Sequence, residues 1–261
     1  MTLEPRVAFP FLLLLLLPCA GEAGGAAGAT ACHGGGRHGG RPPAENSPDD
    51  IDPSAIILPA VTFWEGLEYF FLPDCLRHMR RLRRFIASDA FPAQFGALPP
   101  PGQVDAVWYS AAAIAEGDPF DALLASCFAT LPYRTFDAVI PLVGWVVTLP
   151  VSTESREQFR RRLEHLPAGF LPDSPPRGDR DKMTHFFGSA YLAAVTKSPL
   201  LARRAGLWVE ALEKAFKLEG FNDERDIWIN ARGAEFAQAL LAHRNLPPSR
   251  FFRHPATNSD R

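Results

Sequence analysis

Between residues 75 and 86 the apolar side chains fall at Cys75, Met79, Leu82 and Ile86, a spacing that places them on one face of a helix. Arg77, Arg80, Arg81 and Arg84 form a stripe on another face. That stripe reads either as a solvated surface with local carboxylate partners or as a surface for phosphate headgroups or another anionic partner. The preceding run, "VTFWEGLEYFF", is bulky and aromatic. After a proline-rich break, "VDAVWYSAAAIAEG" is compatible with helix or strand. "DPFDALLASCFATL" predicts a helix with Asp118 as cap, Pro119 at the first helical position and Asp121 in the first turn. "FDAVIPLVGWVVTLPV", rich in Val and Ile, reads as a buried strand or an extended segment. "STESREQFRRRLEHL" starts a charged amphipathic helix whose predicted cap is Ser152 or Thr153. Beyond a linker, "PAGFLPDSPPRGDR", three helices are expected, at about 182–197, 201–218 and 224–243. From Asn245 on, two prolines and "TNSDR" predict a loosely ordered tail. The fold class implied is mainly α, a soluble helical domain with little or no β-structure. A C-terminal three-helix unit carries most of the polar pattern.

That pattern consists of rows at helical spacing. In "DKMTHFFGSAYL", Asp181 is placed to cap the helix, His185 lies four residues on, and Gly188 and Ser189 follow on the same side. On the last helix Asp226, Asn230, Gly233 and Ala237 form a second one-sided row, polar and then small. The middle helix contributes Glu210 and Glu213. Gly188 and Gly233 would let backbones approach closely where the rows meet. Arg232 stands beside the second row, positioned for Glu235 or for an anionic ligand.

Three roles suit such a set. A buried Asp–His–Asn–Glu network can fix helix register through satisfied hydrogen bonds. The same groups, Asp181, Lys182, His185, Ser189, Glu213, Asp226 and Asn230, can line a binding site for a lipid or cell-wall fragment. Or His185 can act as general base or metal ligand in a hydrolase, with Asp226 and Glu213 orienting it or sharing a metal. Ser189, one turn from His185, is a conceivable nucleophile but a poor one inside a helix. No G-x-S-x-G elbow, H-E-x-x-H helix, CxxC pair or Cys/His zinc spacing is present, so no metal site is assigned from sequence and no cofactor is implied.

The combination "DKMTHFFGSAYL … E … DIWINARG" resembles the YfiM-like family of periplasmic proteins and lipoproteins. Their pattern is D-K-x-x-H-x-x-x-S/G, a Glu, then D-x-x-x-N-x-x-G. Here Asp181, Lys182, His185, Gly188, Ser189, Glu213, Asp226, Asn230 and Gly233 fill it, over about residues 180–240. VanZ-like membrane proteins are more distantly similar. The helices here are too short and too charged (Arg203, Arg204, Glu213, Lys214, Lys217) to match those as membrane spans. The family has no established activity, so the resemblance implies a location and a site rather than a reaction.

The N-terminus agrees with that location. Arg6, six consecutive leucines within Phe9 to Leu17, and Gly21 and Ala23 read as an export signal over residues 1–23. Cys19 and Cys32 are each candidates for lipidation. Residues 24–50, dominated by Gly, Ala and Pro, read as a flexible linker; its His33 and His38 are spacer residues or casual metal contacts. The expected organisation is then an N-terminal helical region over 51–176, the family-like region over 177–245 in the same globular unit, and a tail over 246–261. A secreted or periplasmic location makes a Cys75–Cys127 disulfide as reasonable as two buried thiols. The membrane surface and the cell wall are the candidate partners. Of 261 residues 47% are hydrophobic, enough for one sizeable core, and the net charge of -2 offers no basic field for nucleic acid.

Overall fold

The chain was analysed as a computed structural model that describes residues 51–139, 146–150, 152–176, 178–197, 224–243 and 245–252. The expected export signal over 1–23, the expected linker over 24–50, Cys19, Cys32, the expected middle helix with Glu210 and Glu213, and residues 253–261 lie outside the described residues.

The architecture is mainly helical. In chain order it comprises α1 (Phe63–Phe70), α2 (Asp74–Ala87), α3 (Ala90–Phe95), α4 (Pro100–Ile114), α5 (Pro119–Thr130), strands β1 (Thr135–Val139) and β2 (Val146–Pro150), then α6 (Arg156–His165), α7 (Arg180–Thr196) and α8 (Glu224–Ala242). β1 and β2 form an antiparallel two-stranded hairpin, with Val139 opposite Val146 and Thr135 opposite Pro150. Within the Val/Ile-rich run, the described residues up to Val139 and from Val146 to Pro150 are strand, and the ambiguous 104–114 segment is helix. Its alanines explain the outcome: Ala is the best helix former and leaves room for close packing.

Helix α7 runs through the middle. It packs on α8 along one side and on α5 along another, while α5 also meets α2 and α4 and α6 lies on α2. Helices from both sequence regions share one core. Leu82, Phe85, Ile86, Trp108, Leu123, Phe186, Phe187 and Phe236 are each at most 2% exposed. Phe236 of α8 meets Trp108 of α4 edge-on at 5.3 Å and Phe186 of α7 at 5.4 Å. Such ring pairs add to area burial and fix orientation. The predicted face Cys75, Met79, Leu82, Ile86 is buried on α2.

Asp118 caps α5 as predicted, accepting from the Phe120 and Asp121 amides with Pro119 next in line. The cap of α6 is Ser155, in a capping box with Gln158, not Ser152 or Thr153. Ser152 is otherwise engaged: its hydroxyl donates to Glu154 Oε2 at 2.7 Å. Cys75 and Cys127 are both buried as thiols and no disulfide joins them; burial pushes the Cys127 thiol up to about 12.

The segment read as a linker and the start of the tail expected to be loose are both packed. In the linker, Phe170 and Leu171 are buried, and Asp179 accepts from Phe170 N at 3.3 Å and Ser174 Oγ at 2.6 Å. Gly178 holds φ +84 there, and a Cβ on it would lie 2.2 Å from Ala168 O. In the tail, Pro248–Phe251 form a 3-10 turn pinned by Asp105 of α4. Its carboxylate accepts from Ser249 N at 2.7 Å and Ser249 Oγ at 2.6 Å. Phe252 then stacks edge-on against Phe170 and Phe186. Over residues 245–252 these apolar anchors outweigh the two prolines; "TNSDR", the other ground for expecting a loosely ordered tail, lies outside the described residues.

Candidate functional site

Helices α7 and α8 meet through the two rows foreseen in the sequence. Closest approach is at Gly233: a Cβ on it would lie 2.2 Å from the backbone oxygen of Phe186. Glycine is required there by the neighbouring backbone rather than by any special φ. This near contact sets the distance at which the polar side chains above it must pair.

Lys182 is the centre of the pairing. Its ammonium lies 2.6 Å from Asp226 Oδ1 and 3.0 Å from Asp181 Oδ2, with its side chain 3% exposed. Asp226 Oδ1 is also 3.6 Å from His185 Nε2, an ion-pair distance rather than a hydrogen bond. One turn further, the Ser189 hydroxyl donates to Asn230 Oδ1 at 2.7 Å. Asp181, Lys182, His185, Ser189, Asp226, Asn230 and Gly233 thus share one seam. Glu213, the remaining candidate, lies outside the described residues. Asp181 is in the first turn of α7 and is not its cap. Asp179 holds the cap position but uses its carboxylate on the linker and on Arg225 Nη2, 2.7 Å away. Arg232 pairs with Glu235 at 2.7 Å, the simpler of its two expected partners.

The seam is graded. Asp181 is 40% exposed at one end, Asp226 13% and His185 8% in the middle, and Lys182 3%. A lysine buried this deeply is costly unless paired, and here two carboxylates pair it. Asp181, His185 and Asp226 each offer one metal-ligating atom, all within 4.8 Å of one another. The Lys182 ammonium, however, stands against both carboxylates of that trio, where a cation would sit. Ser189 directs its proton to Asn230, which removes the geometry expected of a nucleophile activated by His185.

A second buried charge cluster was not legible in the sequence. Arg162 of α6 is fully buried. It meets Glu154 through Nε at 2.8 Å and Nη2 at 3.0 Å, and donates from Nη1 to the Ala129 and Leu131 carbonyls at 2.6 and 3.1 Å. It sits in an "RRR" run in which nothing marks one arginine as internal. Arg83 of α2, nearby, donates twice to Phe128 O; burial and then the Arg162 charge lower its guanidinium to about 10.

No family model, no curated protein and no solved structure matches the chain. The functional argument therefore rests on the site itself.

Proposed function

We propose that the protein is an exported cell-envelope protein of YfiM-like character that acts by binding, and that the α7–α8 seam is its internal fastening rather than a reaction centre. The observation that carries this is the position of Lys182: the chain's own ammonium fills the space between Asp181 and Asp226. A metal would have to displace it, and a substrate would have to compete with a charge-assisted pair already made. The leucine-rich N-terminus and the motif resemblance support the envelope location.

A second reading has one observation in its favour, the 4.8 Å clustering of ligand atoms on Asp181, His185 and Asp226. With Lys182 swung aside, these could hold a divalent cation for hydrolysis of an envelope ester or phosphoester, His185 serving as ligand or base. One experiment separates the two. Purified protein is titrated with Zn²⁺, Mn²⁺ and Mg²⁺ while thermal stability and hydrolysis of ester and phosphodiester panels are followed. The binding-protein reading expects no stabilisation and no turnover, in wild type and in His185→Ala alike. Stoichiometric metal with a raised melting temperature, and turnover abolished by His185→Ala, would establish the hydrolase instead.

A further inference from the structure

Helix α1 is mounted with its apolar face outward. Phe63, Trp64, Leu67, Phe70 and Phe71 recur at the spacing of one helical face, and they are 76%, 75%, 47%, 81% and 75% exposed. The inward side is polar: Glu65 and Glu68 form ion pairs with Arg84 and Arg80 of α2, and Tyr69 is the one buried residue of the helix. Thr62 and Glu65 close a full capping box at its start, so the helix is a defined element and not a frayed end. A folded helix that turns five large apolar side chains away from the core has a partner surface to meet.

The surroundings identify the surface. Under α1 lies a groove of about 330 Å³, lined by Tyr69, Phe85 and Ile114 and edged by Arg81, Arg84 and Arg161 together with Glu65 and Glu157. Arg77, Arg80 and Arg84 are each engaged by a carboxylate, whereas Arg81 makes no ion pair among the described residues. Aromatic rings beside an arginine that no carboxylate engages among the described residues suit the boundary between acyl chains and anionic headgroups. A stable protein partner usually covers about 800 Å² on each side. An eight-residue helix, ~12 Å long, presents far less than that on one face. A lipid surface needs no matching area and accepts a short apolar ridge.

We propose that α1 and the groove beneath it seat the protein on an anionic lipid surface, with the aromatic ridge in the interface and Arg81 at a phosphate. The envelope reading enters only in saying where such a surface is met; the docking itself rests on α1.

The test is co-sedimentation of the full chain with vesicles of phosphatidylcholine alone or mixed with phosphatidylglycerol. It compares wild type with Trp64→Ser/Phe70→Ser/Phe71→Ser and with Arg81→Glu. The leucine block near the N-terminus is common to all three proteins, so differences between them report on α1. The triple variant, altered only at exposed positions, should keep its helical circular dichroism and lose vesicle binding by roughly tenfold or more. Arg81→Glu should lose the preference for phosphatidylglycerol. Equal binding by wild type and the triple variant overturns the proposal. So does a wild-type dimer that the triple variant converts to monomer, which would make the ridge a contact between copies. Cell fractionation reports separately on export, and a cytoplasmic protein whose α1 still binds vesicles would refute the envelope reading alone.

Discussion

Gly233→Ala is expected to destabilise the protein, although the same exchange in an isolated helix would stabilise it. Alanine exceeds glycine in helix propensity by about 1 kcal/mol. Against that, the new methyl would stand 2.2 Å from Phe186 O, a backbone atom that cannot rotate away. That is more than about 1 Å inside ordinary contact, so α7 and α8 must separate. Separation would pull apart the Lys182–Asp226 and Ser189–Asn230 pairs and loosen Phe186 from Phe236. A net loss of about 1–3 kcal/mol is expected for Ala, and a larger one for Gly233→Leu. Gln238→Leu, at an exposed position of the same helix, serves as control and should be nearly neutral. Denaturant unfolding followed by circular dichroism measures all three. A stabilised Gly233→Ala would show that the helices do not pack this closely.

A large loss is also expected from Arg162→Met. The change leaves Glu154 buried without its cation and removes the donor to the Ala129 and Leu131 carbonyls. Breaking a buried pair from one side costs about 3–5 kcal/mol. At about 2–4 °C per kcal/mol for a chain of this size, the melting temperature should fall by roughly 6–20 °C. The effect has a pH signature. Burial raises the Glu154 carboxyl, but the Arg162 hydrogen bonds and charge, with the Ser152 hydroxyl, outweigh it and hold the group below its usual range. Because the folded value is the lower one, the pair's stabilisation is complete above the unfolded value of about 4.3. It is lost as pH falls through the folded value. Wild type should therefore lose stability below about pH 4. Arg162→Met/Glu154→Gln should lack that component of the acid limb. Parallel acid profiles in the two proteins would remove this role from the pair.

The sequence made the local features readable and left orientation and long-range partners to the structure. The apolar face of α2 and the Asp118 cap depend on neighbours one turn away, so spacing alone revealed them. The seam was legible because both rows repeat at helical spacing and each ends in small residues, which implies a close contact before its partner is known. Hidden were contacts whose partners lie far apart in the chain. Asp105 finds Ser249 across 144 residues, and Arg162 finds the Ala129 and Leu131 carbonyls 33 and 31 residues back. The outward turn of α1 was hidden for a different reason. Hydrophobic spacing shows that Phe63, Trp64, Leu67, Phe70 and Phe71 share a face but not which way it looks, and the usual preference for burial points inward. The ion pairs of Glu65 and Glu68 with α2 reverse that preference.

The central claim is that Lys182 is the seam's own cation and fastens α7 to α8. A double-mutant cycle on Lys182→Met and Asp226→Leu tests it most directly, read by denaturant unfolding with and without added Zn²⁺. Each single change should cost several kcal/mol: Lys182→Met takes the cation from Asp226, Asp226→Leu takes from buried Lys182 the nearer of its two carboxylates, and breaking a buried pair from one side costs about 3–5 kcal/mol. The double variant should lose much less than the sum, and Zn²⁺ should stabilise none of the proteins. Strictly additive losses, or a Lys182→Met protein that Zn²⁺ stabilises through Asp181, His185 and Asp226, would contradict the account and make the seam a metal site.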